Sequence, residues 1–179
     1  NFLLGDWGGP WYPQATLSLG NSQTIPGSDV IIPLFLSSTE FVGGVQFTIT
    51  SNMQDALNPI EIESIDPCFS ADFNMIDDEQ IIGILFSLEG CELDAAESSV
   101  HFANITYTLS ADSEWGSQVG LDLNNVIVSD GVGNALSVNT QGGFINVSLL
   151  GDVSSDSEVN VVDIVSLINF ILLIDESSD

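Results

Sequence analysis

A mostly β fold, a sandwich of about nine short strands closed by one C-terminal helix, is the class that this 179-residue sequence predicts. Three observations lead to it. From Ala15 to Val147 apolar residues recur in short runs, and some alternate cleanly: Val45, Phe47 and Ile49 face one way, Gln46, Thr48 and Thr50 the other. Turn formers separate the runs, at Pro26-Gly27-Ser28-Asp29, Asn58-Pro59, Asp130-Gly131 and Gly133-Asn134. Only after Asp163 does a long apolar run, Ile164 to Ile174, read as a helix.

Taken in order, the chain divides into residues 1–14, 15–148 and 149–179. The first segment holds Phe2, Leu3, Leu4, Trp7, Trp11 and Tyr12 among three Gly and two Pro that forbid a helix. An apolar, irregular segment of this kind needs cover. Two placements fit it: along its own domain as an edge strand, or on the sheet edge of a neighbouring subunit. In the second segment strands are expected near Ala15–Leu19, Val30–Leu36, Phe41–Thr50, Ile60–Ile65, Gln80–Leu88, Val100–Leu109, Leu121–Val128, Ala135–Val138 and Phe144–Val147.

The third segment opens on a loop with a regular spacing of oxygen donors. Counting Asp152 as position 1 of twelve puts Ser154 at 3, Asp156 at 5, Glu158 at 7, Asn160 at 9 and Asp163 at 12. Those are the coordinating positions of an EF-hand-type calcium loop, with Glu158 contributing its backbone carbonyl. Ser154 brings no charge, which lowers the expected affinity, and Ser157 stands where glycine usually makes the sharp turn. An Asp- and Ser-rich loop that merely caps the helix is the other reading of the same residues. The helix beyond it, with Val161, Val162, Val165, Leu167, Ile168, Ile171, Leu172 and Ile174, is too apolar to stand free in water.

Residues 151 to 172, Gly-Asp-Val, five residues, then Val-Asn-Val-Val-Asp-Ile-Val-x-Leu-Ile-Asn-Phe-Ile-Leu, resemble one calcium-loop-and-helix repeat of a dockerin. The resemblance implies that Asp152, Ser154, Asp156, Asn160 and Asp163 are side-chain ligands of Ca2+ and Glu158 a backbone ligand. A complete dockerin has two such repeats; this sequence has one. Residues 15 to 147 resemble a cohesin: Pro26-Gly27-Ser28 precedes a Val30-Ile31-Ile32-Pro33-Leu34 strand, Gly43-Gly44-Val45-Gln46-Phe47-Thr48-Ile49 follows, and Val100 to Tyr107 and Val126 to Asn134 match later strands and a turn. What this implies is a nine-stranded jelly-roll β-sandwich, related to carbohydrate-binding modules, of the kind that receives dockerins.

Charge narrows the function. The chain has 26 Asp plus Glu and no Lys or Arg, a formal net charge of −26. Such a surface cannot neutralise phosphates, which argues against nucleic acid and against an anionic membrane, and no run of 18 apolar residues supports membrane insertion. Copies repel each other unless cations or salt intervene. Cys68 and Cys91 are the only cysteines; they form either a disulfide of an oxidising compartment or two buried thiols, and zinc is not expected. A chain that begins at Asn1 is what processing and secretion would leave.

No nucleophile elbow or phosphate loop occurs, and His101 reads as a structural residue, so no enzyme is expected. The expectation is an extracellular or cell-surface structural protein whose copies join head to tail. Phe2, Leu3, Leu4, Trp7 and Trp11 of the leader, or Val165, Ile168 and Leu172 of the helix, would cross the interface, and Ca2+ would order the loop. The partner is another copy of the chain or another cohesin- or dockerin-type surface protein. The alternatives are a monomeric anchoring module and a carbohydrate-binding module with Trp115 or the leader aromatics as platforms.

Overall fold

The computed structural model describes residues 13–77, 80–95, 98–154, 156 and 158–175. Strands β1 (Ala15–Leu19), β3 (Asp29–Ser38), β5 (Leu57–Ser64), β8 (Val100–Leu109) and β11 (Val138–Gln141) form one sheet, sheet A, in the order β11-β1-β3-β8-β5. Sheet B has the order β2-β12-β9-β4-β7-β6, from β2 (Ser22–Thr24), β12 (Gly143–Val147), β9 (Gln118–Asp130), β4 (Val42–Ser51), β7 (Gln80–Phe86) and β6 (Ser70–Asp77), with β10 (Ala135–Leu136) attached to β9. Pairing is antiparallel except for β1 with β11 and β2 with β12. Helix α1 (Val161–Asp175) follows.

The core lies between the sheets and is built by the alternation visible in the sequence. Leu17 and Leu19 of β1, Ile32, Leu34 and Leu36 of β3 and Ile105, Tyr107 and Leu109 of β8 come from sheet A. Val45, Phe47 and Ile49 of β4, Leu121 of β9 and Ile145 of β12 meet them from sheet B. Gly83 of β7 is required by this packing: a Cβ there would stand 2.5 Å from the Phe47 ring. Two bulges reset the pattern. One, between Leu34 and Phe35 against β8, lets Phe102 and Ala103 both turn inward. The other, opposite Gln46 and Thr48 in β9, includes Asn125 at φ 48° and puts Val128 in the core with Ile127 outside.

Twelve strands occur among the described residues, against the nine expected. β2 has three polar residues and no apolar signal. β6, Ser-Ala-Asp-Phe-Asn-Met-Ile-Asp, mixes acids with apolar residues as an edge strand does. The expected strand Ala135–Val138 is two: Ala135–Leu136 pairs with β9 in sheet B, and the chain crosses at Ser137 to pair Val138–Gln141 with β1 in sheet A. Elsewhere the corrections are to strand ends, the largest being β9, which begins at Gln118 and runs to Asp130.

Of the two readings left open for the cysteines, the disulfide is the one realised. Cys68 and Cys91 are bonded, with Cα atoms 6.2 Å apart. The bond joins the corner between β5 and β6 to the loop after β7, beside Phe69, whose ring meets Phe102 edge-on at 5.2 Å. Closing a loop of sequence separation 23 removes about 3 kcal/mol of denatured-state chain entropy. The double variant Cys68→Ser/Cys91→Ser should accordingly lose about 3 kcal/mol and about 10 °C of Tm by calorimetry, as should the wild type under reduction.

Candidate metal loop and docking surfaces

The loop 152–163 is shaped by carboxylates that accept backbone N–H groups. Asp152 Oδ1 takes the N–H of Asp156 at 3.1 Å and the Ser154 hydroxyl at 3.3 Å. Asp163, 3% exposed, takes the N–H of Ser154 on Oδ1 at 2.9 Å and that of Asn160 on Oδ2 at 2.7 Å. The Asn160 amide oxygen accepts the N–H of Val162 at 2.7 Å. Asn160 and Asp163 thus form a capping box at the start of α1. Asn160, expected as a metal ligand, here accepts a helix N–H on its side-chain oxygen, so the loop caps α1.

The same geometry brings three acids together. One carboxylate oxygen from each of Asp152, Asp156 and Asp163 lies within 4.8 Å of the other two. Ligands at the 2.3–2.6 Å of a calcium bond can be about 5 Å apart across the ion, so the three oxygens fit a single Ca2+. Ser154 stands beside them through its bond to Asp152, and Glu158 is tied to the cluster by its N–H on Asp156 Oδ1 at 2.9 Å. Ser157 lies outside the described residues. With no Lys or Arg in the chain, no side-chain cation other than His101 exists to offset these charges.

Among its described side chains, α1 lays none of its large apolar residues on its own sandwich. Val161, Ile164, Val165, Leu167, Ile168, Phe170, Ile171 and Leu172 are 46–69% exposed. Successive residues turn by about 100°, so these side chains sweep well over half the circumference, far more than the stripe one packing face needs. No charged residue interrupts the helix between Asp163 and Asp175. The expected interface residues Val165, Ile168 and Leu172 all belong to this arc; Phe2, Leu3, Leu4, Trp7 and Trp11 lie outside the described residues.

A second exposed apolar surface lies on the outer face of sheet B. The register aligns Ile84, Gln46 and Ile127 across β7, β4 and β9, with Ile82, Thr48 and Asn124 in the next row. Ile82, Ile84 and Ile127 are exposed. The β7 and β4 residues of these two rows include no carboxylate; acids flank them, Asp72 of edge strand β6 beside Ile84 and Asp122 of β9 opposite Thr50, much as Glu61 and Glu63 of edge strand β5 flank Thr106 and Asn104 on sheet A. Sequence reasoning missed this surface. Its signal was the run Gln80-Ile81-Ile82-Gly83-Ile84-Leu85-Phe86, apolar on both faces, a pattern of strands covered on both sides.

Neither protein-family models nor curated protein sequences match the chain. Solved structures do. A type I cohesin–dockerin complex of Clostridium thermocellum, Coh-OlpA-Doc918, is matched at TM-score 0.62 and 18% identity over 75% of this chain and 99% of that one. The sixth cohesin of scaffoldin B from Acetivibrio cellulolyticus, in complex with a mutant Cel5 dockerin, gives 0.60 and 19% over 75% and 99%. A non-cellulosomal cohesin of the archaeon Archaeoglobus fulgidus gives 0.59 and 14% over 75% and 91%. The sandwich is cohesin-like. At such identities the likeness is one of fold.

The remaining sequence candidates are dispersed on this cohesin-like frame. His101 stacks near Phe35, ring centroids 5.3 Å apart, and meets Asn104 Oδ1 through Nε2 at 2.8 Å, a local surface contact remote from the acidic loop. Trp115 is exposed in the loop between β8 and β9 and makes no ring contact among the described residues.

The donors on Asp163, the N–H of Asn160 first and that of Ser154 next, hold its carboxyl down to about 2. Its folded value lies below the unfolded one near 3.9, so the ionised form contributes stability above about pH 4 that is lost as pH falls towards 2. In metal-free protein the far-UV ellipticity of α1 should be constant from neutral pH to about 4 and fall below it. Asp163→Asn should begin with less helix at neutral pH and lose little more across that window.

Proposed function

We propose that this chain is an extracellular, non-enzymatic structural subunit that assembles head to tail, α1 of one copy docking on the outer face of sheet B of the next. The observation that carries the reading is the pairing of two uncovered surfaces on one chain: an apolar helix without charge along its exposed arc, and a sheet face whose isoleucine rows include no carboxylate on β7 and β4. Unlike patches that meet in this way propagate as a filament unless the rotation closes. Half-exposed side chains on the helix offer on the order of 800 Å² of apolar surface, as much as one side of a stable interface.

Ca2+ has two tasks in this reading. Held by Asp152, Asp156 and Asp163 with Ser154 and the Glu158 carbonyl, it fixes the direction in which α1 leaves the sandwich, and it lowers the charge of a surface that otherwise resists every approach of a second copy. The loop-and-helix segment acts as the dockerin-like element and the sandwich as its cohesin-like receptor. A heterotypic partner, a different surface protein carrying either element, is the second reading; it is favoured by the dockerin complexes among the similar structures.

Electron microscopy of the purified protein with millimolar Ca2+ should show filaments that disperse on chelation. Ile168→Asp, Leu172→Asp and Ile84→Asp should each raise the critical concentration at least tenfold while leaving the Tm of the sandwich within a few degrees. Monomers in both conditions would refute self-assembly and leave the heterotypic reading. Asp152→Ala and Asp156→Ala should weaken calcium binding in calorimetry by at least tenfold each.

A further inference from the structure

Four strand edges bound the two sheets, and three are protected. β2 and β11 are three and four residues long. β5 has Pro59, a register shift between Pro59 and Glu61, and exposed Glu61 and Glu63. Short length, proline, bulges and charge are the usual means by which an edge refuses another strand. β6 is the least protected: it has eight residues with neither Pro nor Gly, its register against β7 is regular from Ser70 to Met75 and shifts only between Met75 and Asp77, and of its two exposed acids, Asp72 and Asp77, only Asp72 lies within the regular part.

The free side of β6 can be assigned residue by residue. The N–H of Phe73 turns away from β7 and is taken by Asp72 Oδ1 at 2.8 Å. By the two-residue alternation of an antiparallel strand, Ala71 and Met75 present their N–H and C=O groups on the same side. Neither has a partner there among the described residues. The side chains of Ala71, Phe73 and Met75 face the interior, opposite Leu85, Gly83 and Ile81. Met75 remains exposed, over an open pocket of about 510 Å³ lined also by Leu57 and Asn58.

We propose that β6 is a strand-addition site occupied by β6 of a second copy, antiparallel about a two-fold axis at Phe73. In that register Ala71 pairs with Met75 of the other copy, and Phe73 with its own equivalent. Asp72 falls opposite Asn74 and Ser70 opposite Ile76, so no carboxylate faces a carboxylate. That register identifies the occupant: in a chain with 26 acids, the free edge of β6 complements itself. Asp72 releases the Phe73 N–H to the incoming strand and turns to the Asn74 amide. The contact is isologous and closes as a dimer, and it is independent of α1 and of the acidic loop.

The test uses the whole chain in chelator and high salt, where repulsion between copies is screened. Sedimentation equilibrium should show a monomer–dimer equilibrium that tightens with salt. Amide exchange at Ala71 and Met75 should slow as concentration rises. Asn74→Asp, a solvent-facing change that sets two carboxylates opposite Asp72 residues, should weaken the dimer about tenfold, and Asp72→Asn should tighten it. A monomer at every concentration, a dimer whose constant Asn74→Asp does not change, or exchange at Ala71 and Met75 that ignores concentration would each overturn the proposal.

Discussion

The absence of any Lys or Arg is the constraint on which the rest of the structure depends. With no cationic side chain but His101, the carboxylates find backbone N–H and hydroxyl donors instead. Asp66 takes the N–H of Cys68, and Asp130 takes those of Val132 and Asn134 and the Asn134 amide, which holds its pKa down. Asp29 accepts the Thr108 hydroxyl, and Asp152, Asp156 and Asp163 share the N–H groups of their own loop. Acids in this fold therefore sit mainly at turns, strand ends and edges, where unpaired donors are available, and the sheet interiors are left to neutral residues.

That division also bears on the two surfaces of the proposed docking. The outer face of sheet B carries Ile82, Ile84, Ile127 and amides, and α1 carries no charge between its terminal aspartates. Acid is kept off the helix arc and out of the isoleucine rows on β7 and β4, and stands at their margins, at Asp72 beside Ile84 and Asp122 opposite Thr50. A solvated face has no reason to lose it. Docking has one, since a buried carboxylate without a partner would cost more than the contact returns.

Much of the fold was legible because its strands are half-buried and alternate. β1 and β8 have the ends expected of them, and β3 and β4 differ by one or two residues. What escaped was written in hydrogen bonds rather than in hydrophobicity. β2 is held by its pairing with β12 and by hydrogen bonds from the side chains of Ser22, Gln23 and Thr24, and the crossing at Ser137 depends on Gln14, whose side chain accepts the Ser137 N–H. The bulge at Asn125 reverses the parity of β9, so strict alternation would put Ile127 in the core, whereas it lies outside. In the loop, the spacing of Asp152, Asp156 and Asp163 anticipated their convergence, because backbone turns bring alternate residues to one centre. The cap that Asn160 makes did not follow, since amide caps and amide ligands have the same sequence signature.

The two proposed contacts differ in symmetry, and the difference decides what an assembly built from them would become. A helix seated on an unlike face leaves its own face open for the next copy, so it propagates along one direction. A strand paired with its own equivalent uses the same residues on both sides and goes no further. The edge β6 and the isoleucine rows are neighbours on sheet B, with Asp72 and Asn74 beside Ile84 and Ile82. On the two proposals taken together, filaments formed by the first contact would be joined in pairs by the second. On the proposed reading cations would act on both contacts, through the loop for the first and through screening for the second.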